Sequence, residues 1–120
     1  WSATHSLWMI PMTTFTLKSD DGITITFTGS QLASECEPTA DSYGVNCELI
    51  YLNLYRTDTG VFICEEIEDV VDRYDGSMRQ KAVLGICRSE LEVARFFGTK
   101  SVAISLYKQA NIDCPRFFIV

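Results

Sequence analysis

The sequence predicts an α+β domain: an antiparallel sheet of about four to six strands, with two short helices packed on one face. The strands are an N-terminal hairpin, a three-strand meander and a C-terminal strand. Three observations lead there. Apolar and polar residues alternate with a period of two in several runs before Cys87. Asp-Gly and Thr-Gly turn signals separate those runs. From Ser89 to Asp113 the period becomes helical, with start and stop signals for two consecutive helices.

In chain order, Phe15 and Leu17, then Ile23, Ile25 and Phe27, alternate with Thr14, Thr16, Thr24 and Thr26. Asp20-Asp21-Gly22 lies between the runs, so they form a hairpin with one apolar face. Ser30 to Asn46 is polar and contains Pro38 and Gly44; it reads as a long loop with room for one helical turn over Gln31 to Glu35. Loops of that length within a domain are often functional. From Cys47 to Arg56, Leu49, Tyr51, Asn53 and Tyr55 alternate with Ile50, Leu52 and Leu54, the pattern of a strand covered on both faces. Thr57-Asp58-Thr59-Gly60 turns the chain and Val61 to Ile67 returns, making Cys47 to Glu68 a hairpin. After a polar bend from Asp72 to Ser77, Arg79 to Cys87 forms a third strand through Val83 and Ile86.

Ser89 and Glu92 have the spacing of a capping box. Leu91, Ala94 and Phe97 recur at helical intervals, Val93 pairs with Phe97, and Gly98 ends the helix in a left-handed conformation. Thr99 or Ser101 can cap a second helix, whose buried face is Val102, Ala103, Leu106, Tyr107 and Ala110. Val102, Ile104 and Leu106 also alternate as a strand would, and the exit decides for helix. Asn111 tolerates the left-handed conformation, Ile112 can fold back as the apolar partner of a Schellman cap, and Pro115 forbids continuation. Arg116 to Val120 supplies the closing strand. Consecutive antiparallel strands exclude a doubly wound parallel fold.

At 120 residues the chain is one domain over 12–120, with residues 1–11 as an arm or extension. Either Met12 is the natural start, or Trp1, Leu7, Trp8 and Ile10 form a genuine arm that buries against this domain or a neighbour. The first eleven residues have neither the basic start nor the apolar length of a signal peptide. No apolar run approaches the ~20 residues of a membrane helix, so no membrane partner is expected. The net charge of −6 is uneven: two basic and seven acidic residues fall in the first sixty, eight and nine in the last sixty. No Lys/Arg cluster suits a phosphate backbone, and the loose group Arg73, Arg79, Lys81 and Arg88 reads as a solvated mixed-charge face. Nucleic acid is therefore not an expected partner.

Five cysteines, an odd count with no C-x-x-C pair, do not form a secreted disulfide framework, and a reduced, soluble, cytoplasmic protein is expected. Cys64 and Cys87 lie in apolar strand patterns, where a thiol behaves as a small hydrophobe. The one spacing that suits a bridge is Cys36 to Cys47.

Chemistry is sparse. His5, the only histidine, lies in the arm, away from any nucleophile pattern. No nucleotide-binding glycine motif, nucleophile elbow, zinc-ligand spacing or calcium loop occurs, so no catalytic residue, metal or cofactor is expected. Glu65, Glu66, Glu68, Asp69 and Asp72 form the densest carboxylate run, expected as a solvated strand edge kept acidic against sheet pairing, with one carboxylate half-buried.

The expected function is a non-enzymatic interaction or binding module that self-associates, most simply as a dimer. Phe117, Phe118, Ile119 and Val120, with Trp8, are the expected interface, because an apolar terminal strand must be paired and covered. A protein partner is a variant of this reading, and the net negative charge then suits a basic one. The alternative is a small-ligand-binding or enzymatic domain with an apolar pocket between sheet and helices, where Tyr51, Tyr55, Glu66 and Arg88 converge.

Overall fold

Five strands in chain order make one antiparallel sheet, β1-β2-β3-β4-β5, and two helices follow it. The computed structural model describes residues 12–39, 48–72 and 74–112. The strands are β1 (Thr13–Lys18), β2 (Thr24–Pro38), β3 (Leu49–Thr57), β4 (Phe62–Val71) and β5 (Met78–Cys87), and the helices are α1 (Glu90–Phe97) and α2 (Ser101–Ala110). The α+β class, the antiparallel sheet and the two helices are as the sequence predicts. The arm with Trp8, the closing strand Arg116 to Val120, and Cys47 with the proposed Cys36–Cys47 bridge lie outside the described residues.

The largest departure is β2. Where a polar loop with a helical turn is expected, the strand continues to Pro38, paired with β3 from Gly29↔Thr57 to Pro38↔Leu49. A bulge between Gln31 and Ala33 hides the period of two. The extra residue puts Leu32 and Ala33 together on the helix side, where both join the core, while Gln31 and Ser34 stay on the opposite face. Beyond Gly29 the outer edge of β2 has no β1 partner, and Gln109 of α2 accepts the Ser34 amide there at 2.6 Å.

The helices cover one face of the sheet. Ile50, Leu52 and Leu54 of β3, Phe62 and Cys64 of β4 and Cys87 of β5 meet Val93, Ala94 and Phe97 of α1 and Val102, Ala103, Leu106 and Tyr107 of α2. Leu52, Leu54, Cys64, Val93, Ala94, Ala103 and Leu106 are wholly inaccessible. Each large side chain so buried stabilises the fold by about 1.5–3 kcal/mol. Leu91, expected on this face, points to solvent instead. Phe96 lies on Gly85, whose missing Cβ leaves room for the ring.

The caps follow local chemistry. The Glu92 amide donates to Ser89 Oγ at 3.2 Å, and the Glu92 carboxylate reaches back to the Arg88 amide at 2.6 Å, one residue earlier than in a standard capping box. At the far end Gly98 has φ of 81°. The α2 N-cap is Lys100, with no side-chain cap, in place of the expected Thr99 or Ser101. Its exit is the expected Schellman motif: Asn111 is left-handed, Ile112 N–H bonds Tyr107 O at 2.8 Å, and Ile112 is buried. Tyr107 Oη donates to Gly98 O at 2.7 Å, so the second helix ties down the carbonyl end of the first.

The opposite face is covered by the sheet itself. The outermost strands of five in a flat sheet would stand roughly 19 Å apart, at about 4.8 Å per strand. Here the β1–β2 turn touches β5: Asp20 N–H donates to Ala82 O at 3.1 Å, Ala82 N–H to Asp20 Oδ1 at 3.3 Å, and Arg79 pairs with Asp20 at 3.4 Å. The Phe15 ring reaches across β2 to Tyr55 of β3, centroids 4.9 Å apart. The sheet is thus a half-barrel, convex under α1 and α2 and concave on the opposite face.

Gly29 faces Thr13, the first residue of β1, on one side and presses on β3 on the other. A Cβ there would stand 2.1 Å from Arg56 O and 2.8 Å from Thr57 Cα, both backbone atoms that cannot rotate away. We expect Gly29→Ala to destabilise the chain by about 3 kcal/mol or more, measured by urea unfolding. A loss below 0.5 kcal/mol would show that these strands can separate freely.

Candidate functional site

The concave face is built from the residues of β3 and β4 that point away from the helices. Asn53 and Tyr55 of β3 lie beside Glu65 of β4, and Glu65 is 7 % exposed although no helix among the described residues covers it. Its Oε1 accepts from Asn53 Nδ2 at 3.0 Å and from Tyr55 Oη at 3.4 Å. Asn53 Oδ1 in turn accepts from Gln31 Nε2 at 3.1 Å and Ser34 Oγ at 2.9 Å. One turn of the ladder further along, Asp69, also buried, accepts the Leu49 amide at 3.1 Å and Gln80 Nε2 at 3.2 Å. Burying a carboxylate without such donors costs several kcal/mol, so these partners are what let it stay in the sheet.

Beside this network, Phe15, Phe27 and Tyr55 form an aromatic cluster with centroid separations of 4.9 to 5.4 Å. Burial first, then the Glu65 charge and hydrogen bond, pushes the Tyr55 hydroxyl up to about 12. Tyr51, on the same face, is also raised, by burial and then by Asp69. Burial of both carboxylates corrects the expectation of a solvated acidic edge, because β4 is an interior strand between β3 and β5.

Of the rest of that run, Glu66 and Glu68 face the helix side, and Asp72 lies in the β4–β5 turn, where it accepts the Tyr74 amide. Glu37, Pro38, Thr39, Ile50, Glu66, Glu68 and Lys100 line a cleft of about 380 Å³ at the start of α2. Lys100 Nζ pairs with Glu66 at 2.9 Å, and Ser101 Oγ donates to Glu37 at 2.9 Å. Three carboxylates face one ammonium there, so the cleft suits a basic group.

The third surface is β5. Met78, Val83 and Ile86 are 47 %, 44 % and 57 % exposed, and in the strand pleat Val83 and Ile86 lie on opposite faces. Ala82 turns its N–H and C=O away from β4 toward Asp20, so by the alternation of the ladder Leu84 and Ile86 turn theirs outward as well. Among the described residues nothing pairs with that edge beyond Ala82.

The four residues expected to line one ligand site are therefore dispersed. Tyr51 and Tyr55 share the concave face, Glu66 lies across the sheet in the cleft, and Arg88 is exposed at the joint between β5 and α1. The space between sheet and helices, where the apolar pocket was expected, is filled by the core side chains. The expected interface residues Phe117, Phe118, Ile119, Val120 and Trp8 lie outside the described residues.

Sequence reasoning missed the Gln31–Ser34–Asn53–Glu65 network because half of it belongs to the segment read as a loop. The signal was Asn53 in an otherwise apolar strand. It also missed that Cys64 and Cys87 meet, their sulfurs 3.7 Å apart. Among the described residues no group of three or more His, Cys, Asp or Glu is placed to hold a metal ion, and no helix is long and apolar enough to cross a membrane. Comparison with protein families, with curated proteins and with solved structures finds no match in any of the three.

Since the native state holds Tyr55 protonated and the unfolded chain ionises near 10, the unfolded state binds fewer protons between pH 10 and 12. Stability from this group is complete below pH 10 and is lost as pH rises through 12. Absorbance at 295 nm should show one tyrosine titrating near 12 before unfolding, and Glu65→Gln should move it down toward 10. A Tyr55 midpoint of 10 in the folded wild type contradicts the assignment.

Proposed function

We propose that the chain is a non-enzymatic interaction module that works as a homo-oligomer, most simply a dimer in which the β5 edges of two copies pair. The observation that carries this reading is the exposed edge of β5 with Val83 and Ile86 bare on its two faces. Natural proteins cover or charge such edges, and here the only described cover is Asp20 at Ala82. Antiparallel pairing about a two-fold axis satisfies the outward amides of Leu84 and Ile86 and dries both apolar side chains. The apolar chain-end residues Phe117 to Val120 and Trp8 belong to the same proposal as further contacts between copies. In this reading no step of covalent chemistry is assigned to any residue.

Light scattering after size exclusion tests it. At tens of micromolar the chain should run at twice its 13.5 kDa, and Ile86→Lys should return it to monomer with its circular dichroism unchanged. A wild-type monomer at that concentration overturns the proposal.

A second reading, a small-ligand site, is supported by the cleft at the start of α2. Its carboxylates select a small amine or guanidinium. Putrescine and arginine at millimolar concentration should then raise the melting temperature, with Glu68→Gln weakening the effect; no shift with either compound rules the site out.

A further inference from the structure

We propose that Cys64 and Cys87 are a redox-active pair that closes into an intramolecular disulfide joining β4 to β5. Their sulfurs stand 3.7 Å apart under α1. In the ladder Cys64 faces Gly85 and Cys87 faces Phe62, so the two cysteines are diagonal neighbours on one face of the sheet. Gly85, opposite Cys64, offers no side chain to separate the sulfurs, and the Phe96 ring packs over it. Bond formation needs the sulfurs to close from 3.7 Å to about 2.05 Å, a movement of roughly 1.7 Å that combines side-chain rotation with backbone movement at the end of β5, since diagonal partners stand about 7–8 Å apart on adjacent strands.

Three features distinguish this pair from two inert core thiols. First, the cysteines are in contact with each other, where a purely apolar role would need only small hydrophobes. Second, their access differs: Cys64 is wholly buried, while Cys87 ends β5 at the joint with α1 and retains 5 % exposure. Third, their protonation is polarised. The Cys64 thiol donates to Cys87 Sγ; that bond, with burial, holds the Cys64 proton, and the same bond draws Cys87 below its ordinary value against burial and the Glu92 charge. Cys87, the less buried sulfur and the one whose proton is more readily lost, is thus the nucleophile, and Cys64 its resolving partner.

With hydrogen peroxide as oxidant the chemistry balances. Cys87 sulfur attacks one peroxide oxygen; the O–O bond breaks, leaving a sulfenic acid on Cys87 and one water. Cys64 sulfur then attacks Cys87 sulfur; the S–O bond breaks, and the hydroxide leaves with the Cys64 proton as a second water. Two thiols are oxidised by two electrons, and the peroxide is reduced. The bridge links residues 23 apart in sequence and fixes the end of β5 from which Ser89 starts α1. An unstrained loop of that size raises the melting temperature by roughly 10–15 °C, and any strain in the closed pair subtracts from that gain.

The test is to treat the folded full chain with hydrogen peroxide below its melting temperature, alkylate under denaturing conditions and map the peptides by mass. A linked Cys64–Cys87 peptide that dithiothreitol releases is the expected result. The chain with Cys36, Cys47 and Cys114 all replaced by serine should give the same link, showing that no exchange through the other thiols is needed. Recovery of Cys64 and Cys87 as alkylated thiols while Cys36 is oxidised overturns the proposal, as does a sulfinic acid on Cys87 beside a free Cys64.

Discussion

The central strand β3 carries large side chains on both faces, and a sheet of five strands has to dry those two faces by different means. On one side Ile50, Leu52 and Leu54 are covered by α1 and α2. On the other side no helix lies among the described residues, yet Tyr55 is 6 % exposed and its β4 neighbour Ile63 3 %. The sheet achieves this by curling until the β1–β2 turn touches β5. The bulge in β2 serves both faces: it places Leu32 and Ala33 together in the helix-side core and bends the strand where the curl is needed.

The curl explains why polar groups inside the half-barrel are so fully paired. Once the concave face loses water, Glu65 and Asp69 keep their place through donors from Asn53, Tyr55, Gln80 and the Leu49 amide. The same network fixes register. A slip of one residue along β3 would send Tyr55 to the helix side and Leu54 to the polar cluster, losing both the apolar core and the carboxylate partners. The barrel-like face is therefore specified by polar bonds and the helix face by volume.

The surfaces left over are those to which function can be assigned: the β5 edge, the carboxylate cleft at α2 and the thiol pair beneath α1. Two of them meet on one strand. β5 carries Val83 and Ile86 at the proposed dimer edge and Cys87 at its end, so a bridge to Cys64 would stiffen the strand that offers the interface. The oxidation chemistry rests on the contact, burial and protonation of the two thiols and does not depend on pairing between copies.

Much of the architecture is local and so legible in the residues themselves. The β3–β4 hairpin follows from alternation about Thr57 to Gly60, α1 from Ser89 and Glu92, and the end of α2 from Asn111 and Ile112. Apart from the α2 N-cap and Leu91, what failed depended on a distant neighbour. The far half of β2 is polar and looks like a loop; it is a strand because β3 offers it a ladder and Asn53 and Gln109 take up its donors. β4 was expected to be an edge because it is acidic, and it is interior because the meander folds β5 against it. Tyr51, Tyr55, Glu66 and Arg88 shared no site because strand phase put them on different faces or past the strand end. By itself, then, the sequence determined the period outside β2, three of the four helix ends and the turns, which depend on contacts a few residues apart. The tertiary structure decided the curl, the buried carboxylates and the meeting of Cys64 with Cys87, since these depend on the strand register and the closing of the sheet.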